Sequence, residues 1–138
     1  MIAFFFCKFF STLSKEFAEK KGYHDALMLD YRGYVAEGTG ANIFFIKGNS
    51  IHTPIAECFL NGITRQTVIG IVKAQGFELI EKYILPNEIS NYEECFLTGT
   101  AAEITPVSSI DNISFQTGKN TTSFKLMNDF TDLVNSSF

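Results

Sequence analysis

The stretch from Glu94 to Val107 constrains the fold more than any other part of the chain. Glu94-Cys95-Phe96-Leu97-Thr98 reads as a buried strand, and it runs without a break into Gly99-Thr100-Ala101-Ala102-Glu103-Ile104-Thr105-Pro106-Val107. The turn is made of small residues. Its backbone amides are open to an anion, because no bulky side chain blocks the approach. The same stretch is therefore a candidate functional site.

The flanking patterns predict the elements that surround this strand. Ile2, Phe5, Phe6, Phe9, Leu13 and Phe17 recur at steps of three and four, which predicts an amphipathic aromatic helix over residues 2 to 21, stopped by Gly22. Tyr23 to Leu29, Tyr34 to Ala36, Asn42 to Ile46 and Ser50 to Thr53 read as short strands of a β-meander, separated by turn residues. From Thr64 to Gln75 the period becomes helical, with Thr64 placed to cap and Gly76 to terminate. A strand over Phe77 to Ile84, a short helix over Pro86 to Tyr92, two short strands across Asp111-Asn112 and a closing helix over Thr122 to Val134 complete the pattern. No repeat, linker or low-complexity tract interrupts it, so the expected fold class is one mixed α/β (α+β) domain.

Composition excludes several function classes. With 138 residues, 46% of them hydrophobic, the chain can bury one core. A net charge of -4 with scattered basic residues gives no electrostatic footprint for nucleic acid. Cys7, Cys58 and Cys95 are odd in number and irregular in spacing, so no metal site and a reducing, cytoplasmic setting are expected. The apolar start, Met1 to Phe10, lacks a basic leader and a cleavage site, and it is too short to span a bilayer. No membrane association follows from it.

Three motifs occur in order: Glu37-Gly38-Thr39-Gly40-Ala41-Asn42, Gly62-Ile63-Thr64-Arg65 and the glycine turn at Thr98 to Val107. Together they resemble the C-terminal large domain of branched-chain amino-acid aminotransferases, the fold-type IV enzymes that share the D-amino acid aminotransferase-like fold and use pyridoxal phosphate. The resemblance runs from about Gly22 to the C-terminus, leaving residues 1–21 as an atypical aromatic helix and the family's small domain absent. It implies that Glu37 meets the pyridine nitrogen, where a negative charge holds the ring proton. It implies that the Ile63 and Thr64 amides, with the Thr100 hydroxyl, take the phosphate. The Thr100 and Ala101 amides would bind the substrate α-carboxylate. Glu103 to Val107 favour the branched-chain group over D-amino acid aminotransferases and aminodeoxychorismate lyases. Read without the resemblance, Glu37 is a solvated turn residue, Thr64 a helix cap and the glycine turn an ordinary strand-to-helix connection.

One part of the family pattern is missing. The family carries its Schiff-base lysine in a Lys-x-x-Gly-Asn-Tyr-type segment, and counting back from Gly22 puts that position on Ala3. Lys8 falls near the tyrosine of the motif instead. No residue is thus assigned a catalytic role. The resemblance implies amino transfer between leucine, isoleucine or valine and 2-oxoglutarate in the intact family, with this chain inactive alone and a separate N-terminal fragment as a possible partner. Alternative readings are a non-catalytic, self-associating module built on the Ile2, Phe5, Phe6 and Phe9 face, and a lyase-like enzyme. A homo-oligomer is expected in either of the first two cases. His24 and His52 read as packing residues, Cys95 as a core thiol, Cys58 as a loop residue and Arg65 as the partner of a nearby carboxylate.

Overall fold

Short alternating strands dominate the chain, and they assemble into two five-stranded sheets. The computed structural model describes residues 2–5, 11–57, 59–100 and 103–136. In chain order the elements are β1 (Ile2–Phe5), α1 (Ser11–Lys20), β2 (Asp25–Leu29), β3 (Val35–Gly38), β4 (Asn42–Lys47), β5 (Ser50–Pro54) and α2 (Ile63–Ala74). They continue with β6 (Glu78–Lys82), a 3-10 turn (Pro86–Asn91), β7 (Glu94–Gly99), β8 (Glu103–Pro106), β9 (Ser109–Ile110), β10 (Ile113–Ser114) and α3 (Thr122–Ser136). One sheet has the order β10-β9-β1-β2-β3 and the other β6-β5-β4-β7-β8. The expected mixed α/β class is therefore observed.

The predicted meander is divided. β2 pairs with β3 and β4 with β5, both antiparallel, but the two hairpins lie in different sheets. The Gly38–Ala41 turn makes the crossing. Pairing between strands is a long-range choice, and local alternation does not encode it.

The predicted helix over residues 2 to 21 is also corrected. Ile2–Phe5 is a strand in parallel register with β2, from Ile2 opposite Asp25 to Phe5 opposite Met28, and among the described residues of this stretch the helix is Ser11–Lys20. Phenylalanine-rich segments suit strands as well as helices, and the open edge of β2 satisfies the backbone of β1. Phe17, expected on the buried aromatic face, is 47% exposed, while Ala18 packs against Ala26 and Tyr23. Phe6, Phe9, Cys7 and Lys8 lie outside the described residues.

β7 is buried along almost its whole length, as expected, because both faces of its sheet are covered. On one face Ile43, Phe45, Cys95 and Leu97 meet Leu27, Leu29 and Val35 of the other sheet. On the other face Phe44, Ile46, Ile51 and Phe96 meet Val68 and Val72 of α2 and Leu126 and Phe130 of α3. Phe44 and Phe96 stack at 4.9 Å between ring centroids. Each large side chain buried in this way contributes about 2 kcal/mol. α3 is tied to the start of β7 by Glu94, which accepts from the Thr122 amide (3.2 Å), the Ser123 amide (2.8 Å) and the Ser123 hydroxyl (2.7 Å). These bonds satisfy donors that a helix start leaves free. The C-terminal end of β7, the β3–β4 turn and the N-terminus of α2 consequently converge at one end of the second sheet.

Candidate active site

The β3–β4 turn is held from two sides. Gly38 donates its amide to the Ala41 carbonyl at 2.8 Å. Asp25, at the start of β2, accepts from the Thr39 amide (3.3 Å), from the Ala26 amide (2.8 Å) and from the Thr39 hydroxyl. The turn also touches the end of β7: a Cβ on Gly99 would lie 2.9 Å from the Gly40 carbonyl oxygen. Only glycine permits that approach.

Asn42, the first residue of β4, fixes the entry to α2. Its Nδ2 donates to the Leu60 carbonyl at 2.9 Å, and its Oδ1 accepts from the Gly62 amide at 3.3 Å. A Cβ on Gly62 would sit 2.9 Å from that Oδ1, so a larger residue there would push the Asn42 side chain off its two bonds. Gly62 is the N-cap of α2, with φ -63° and ψ 154°, and no side chain caps the helix. Thr64, predicted as the cap, is instead the second helical residue. The first helical hydrogen bond runs from the Gln66 amide to the Gly62 carbonyl at 3.1 Å. The Ile63 and Thr64 amides precede it and have no intrahelical acceptor, and the helix dipole adds a positive potential at the same point.

Arg65 braces the turn from beneath. It is 2% exposed, and its guanidinium donates to Asn61 Oδ1 (2.9 Å), the Pro54 carbonyl (3.0 Å) and Glu81 Oε1 (2.8 Å). The carboxylate partner expected for Arg65 is thus Glu81. Its depth in the protein was not legible, because Pro54 and Glu81 belong to the strands on either side of α2 in the chain.

These elements enclose a cavity of about 250 Å³. Glu37, Ile63, Thr64 and Thr100 all line it, together with Gly40, Ala41, Asn42, Leu60, Gly62, Thr98 and Gly99. Four of the five expected site residues are therefore brought together from three separate motifs, while Ala101 lies outside the described residues. The β7 turn leads into β8, antiparallel to β7, and not into a helix. Burial pushes the Glu37 carboxyl from 4.5 up to about 7, and no neighbouring charge among the described residues offsets it. It is a half-buried strand residue and not an exposed turn residue. Thr98 also borders the cavity, but its hydroxyl is sealed from solvent and has no hydrogen-bond partner among the described residues. The cavity thus combines free amides that suit an anion with a carboxyl that a cationic group would hold ionised.

Sequence reasoning missed Thr98, Asp25 and the clamp made by Asn42. Strand alternation puts Thr98 on the same side as Thr100, a signal that was available. Asp25 and Asn42 act across turns distant in sequence, and no local pattern marks them. Elsewhere His52 Nδ1 meets the Tyr92 hydroxyl at 3.0 Å, a packing role, and Cys95 is buried, which pushes its thiol pKa well up. Cys58 lies outside the described residues. Among those residues no group of three or more His, Cys, Asp and Glu side chains is placed to hold a metal ion. No helix of the described residues is long and apolar enough to cross a membrane.

Residues 6–110 match the family model described as amino-transferase class IV. The chain belongs to the class IV aminotransferases. Its similarity within that family is to branched-chain enzymes. It is 53% identical over 98 residues to a protein named probable branched-chain-amino-acid aminotransferase from Rickettsia felis, a match covering 71% of this chain and 34% of that protein. It is 43% identical over 125 residues to the branched-chain-amino-acid aminotransferase of Pseudomonas aeruginosa, covering 90% of this chain and 41% of that protein. Among solved structures, a T.th. branched-chain amino acid aminotransferase complexed with N-(5'-phosphopyridoxyl)-L-glutamate superposes with a TM-score of 0.92 at 32% identity, covering 99% of this chain and 52% of that one. The branched-chain aminotransferase of Thermoproteus uzoniensis with norvaline superposes with a TM-score of 0.87 at 38% identity, covering 91% and 42%. The fold is therefore that of the fold-type IV aminotransferases, and pyridoxal phosphate is the cofactor of this family. This class IV chain spans between about a third and about a half of the length of these relatives.

Proposed function

We propose that this chain forms the ring-nitrogen and phosphate side of a branched-chain aminotransferase site, acting in the cytoplasm on an amino acid and a keto acid. The observation that carries the reading is the single cavity lined by Glu37, Ile63, Thr64 and Thr100. The residues present fit the cofactor. Free amides at the start of a 12-residue helix suit a phosphate dianion. A glycine-lined turn lets a ligand reach the backbone, and a desolvated carboxyl lacks only a cationic partner. Bound pyridoxal phosphate supplies an electron sink for the carbon that exchanges its amino group.

Each side chain then has a defined task. The Ile63 and Thr64 amides and the Thr100 hydroxyl hold the phosphate. Glu37 ionises when it meets a protonated ring nitrogen and keeps that proton in place. The Thr100 and Ala101 amides orient the substrate carboxylate. The chain brings no lysine to the expected position, since Ala3 occupies it, within β1 and in register with Ala26. Proton movement at the substrate carbon requires a lysine that this position does not supply, and we propose a separate N-terminal fragment as its source.

Pyridoxamine 5'-phosphate tests the site without needing a lysine. Calorimetric titration of the purified chain is expected to show saturable binding, weakened in Glu37→Gln. A coupled assay with L-leucine and 2-oxoglutarate is expected to show turnover only after a lysine-bearing N-terminal fragment is added. Absence of saturable binding would remove the cofactor reading, and ordinary turnover by the chain alone would remove the need for a partner.

A further inference from the structure

β3 leaves the first sheet at Gly38. Its ladder with β2 runs from Leu29 opposite Val35 to Leu27 opposite Gly38, and one further step would set Thr39 opposite Ala26. The chain turns off instead, and by Asn42 it is paired with Thr98 in the second sheet. A segment that changes sheets loses the backbone acceptors of the sheet it leaves. At this crossing a side chain replaces them. Asp25 Oδ1 accepts from the Thr39 amide at 3.3 Å and from the Thr39 hydroxyl, while the Ala26 amide, at 2.8 Å, fixes the carboxylate itself.

The second carboxylate oxygen fits as closely. A Cβ on Gly38 would lie 3.2 Å from Asp25 Oδ2, so the carboxylate is laid against the bare α-carbon of that residue. Gly38 closes the turn through its amide, which donates to the Ala41 carbonyl at 2.8 Å. Asp25 therefore grips the turn at Gly38 and Thr39. The residues on either side of the grip, Glu37 before it and Gly40 and Ala41 after it, line the cavity. Asp25 stands behind this wall and not in it, so it acts through the turn.

We propose that Asp25 is a positioning residue for the cofactor: by holding Thr39 it keeps the β3–β4 turn, and with it Glu37, Gly40 and Ala41, in the place where the pyridine ring is received. The assignment rests on the reading of the cavity as a pyridoxal phosphate site. The start of α2 has separate supports, Asn42 on Gly62 and Arg65 on Asn61, so the grip of Asp25 concerns the turn and not the phosphate-binding amides. What Asp25 supplies is an acceptor. All three donors meet one oxygen, and an asparagine oxygen in that place accepts the same bonds. The Glu37 carboxyl reports the position of the turn, since burial raises it from 4.5 to about 7 and a displaced turn returns water to it.

The test uses the full chain with Asp25→Ala, which removes the acceptor, and Asp25→Asn, which keeps it and removes the charge. Pyridoxamine 5'-phosphate and inorganic phosphate are the probes, and the Glu37 carboxyl is followed by carbon NMR in the ligand-free chain. Asp25→Ala is expected to bind pyridoxamine 5'-phosphate about ten-fold more weakly and inorganic phosphate with unchanged affinity. Its Glu37 midpoint should fall from about 7 toward 4.5. Asp25→Asn should stay within about two-fold of the native affinity and keep the native midpoint. Thr39→Val removes the hydroxyl bond and leaves the carboxylate in place; it should move both readouts in the same direction by less, and it serves where Asp25→Ala does not fold. An unmoved Glu37 midpoint or an unchanged affinity for pyridoxamine 5'-phosphate would overturn the role of Asp25. So would equal losses for the two probes, the mark of a general loosening, or an Asp25→Asn variant as impaired as Asp25→Ala, which would assign the effect to charge. If the native chain binds no pyridoxamine 5'-phosphate while the midpoint still falls in Asp25→Ala, the cofactor reading fails, and with it the ligand named here, while the grip of Asp25 on the turn stands.

Discussion

Replacing Glu37 by Gln should stabilise the ligand-free protein above neutral pH and weaken it as a cofactor binder. Burial favours the protonated carboxyl in the folded state, so the midpoint moves from 4.5 to about 7. As pH rises, the unfolded chain therefore releases this proton first. The stability linked to Glu37 is whole below pH 4.5, declines between 4.5 and about 7, and is lost above that range. A displacement of this size corresponds to about 3 kcal/mol at full burial. Partial solvent contact of the carboxyl reduces it to about 1–2 kcal/mol. Glutamine has the same shape and does not titrate. Glu37→Gln should match the native chain near pH 4.5 and exceed it by that margin at pH 8, a melting-temperature gain of about 3–8 °C. Urea denaturation across pH 4.5 to 8.5 is the assay. Parallel profiles, or a Glu37→Gln variant less stable than the native chain at pH 8, would refute the argument that desolvation without a partner governs this carboxyl.

Asn42→Ala removes its two bonds to the 60–62 segment; it should cost about 2 kcal/mol in urea denaturation and lower the affinity for pyridoxamine 5'-phosphate in the same variant. Arg65→Met leaves the Pro54 carbonyl and Asn61 Oδ1 without their donor and should cost about 3 kcal/mol, whereas Glu81→Gln, at a half-exposed partner, should cost under about 1 kcal/mol. Equal costs for the two changes would show that the exposed carboxylate, and not the buried guanidinium, carries the brace.

Most elements were legible because each has a local signature. The α2 helix announced itself by Val68, Ile71 and Val72 at helical spacing, and its end by Gly76. The Asp111-Asn112 turn marked the β9–β10 pair. Local signatures failed where two structures share one pattern. The phenylalanine-rich start fits a helical period, yet Ile2–Phe5 takes the strand form because the edge of β2 offers it partners. Thr64 has the chemistry of a cap, yet Asn42 from a different strand holds Gly62 in that place.

The site shows the same division. Its motifs were readable because turns that bind an anion through the backbone need small residues in fixed order, and that order is a property of sequence. The chemistry of Glu37 was not readable, since a carboxyl moves to about 7 only when neighbouring segments strip its water. The pairing of Arg65 with Glu81, the clamp from Asn42 to Gly62 and the unpaired hydroxyl of Thr98 arise only once the second sheet has closed against α2. Residue types and their order along the chain determined what could bind. Long-range strand pairing, which local alternation does not specify, decided which of these groups share one cavity and which of them are left waiting for a partner.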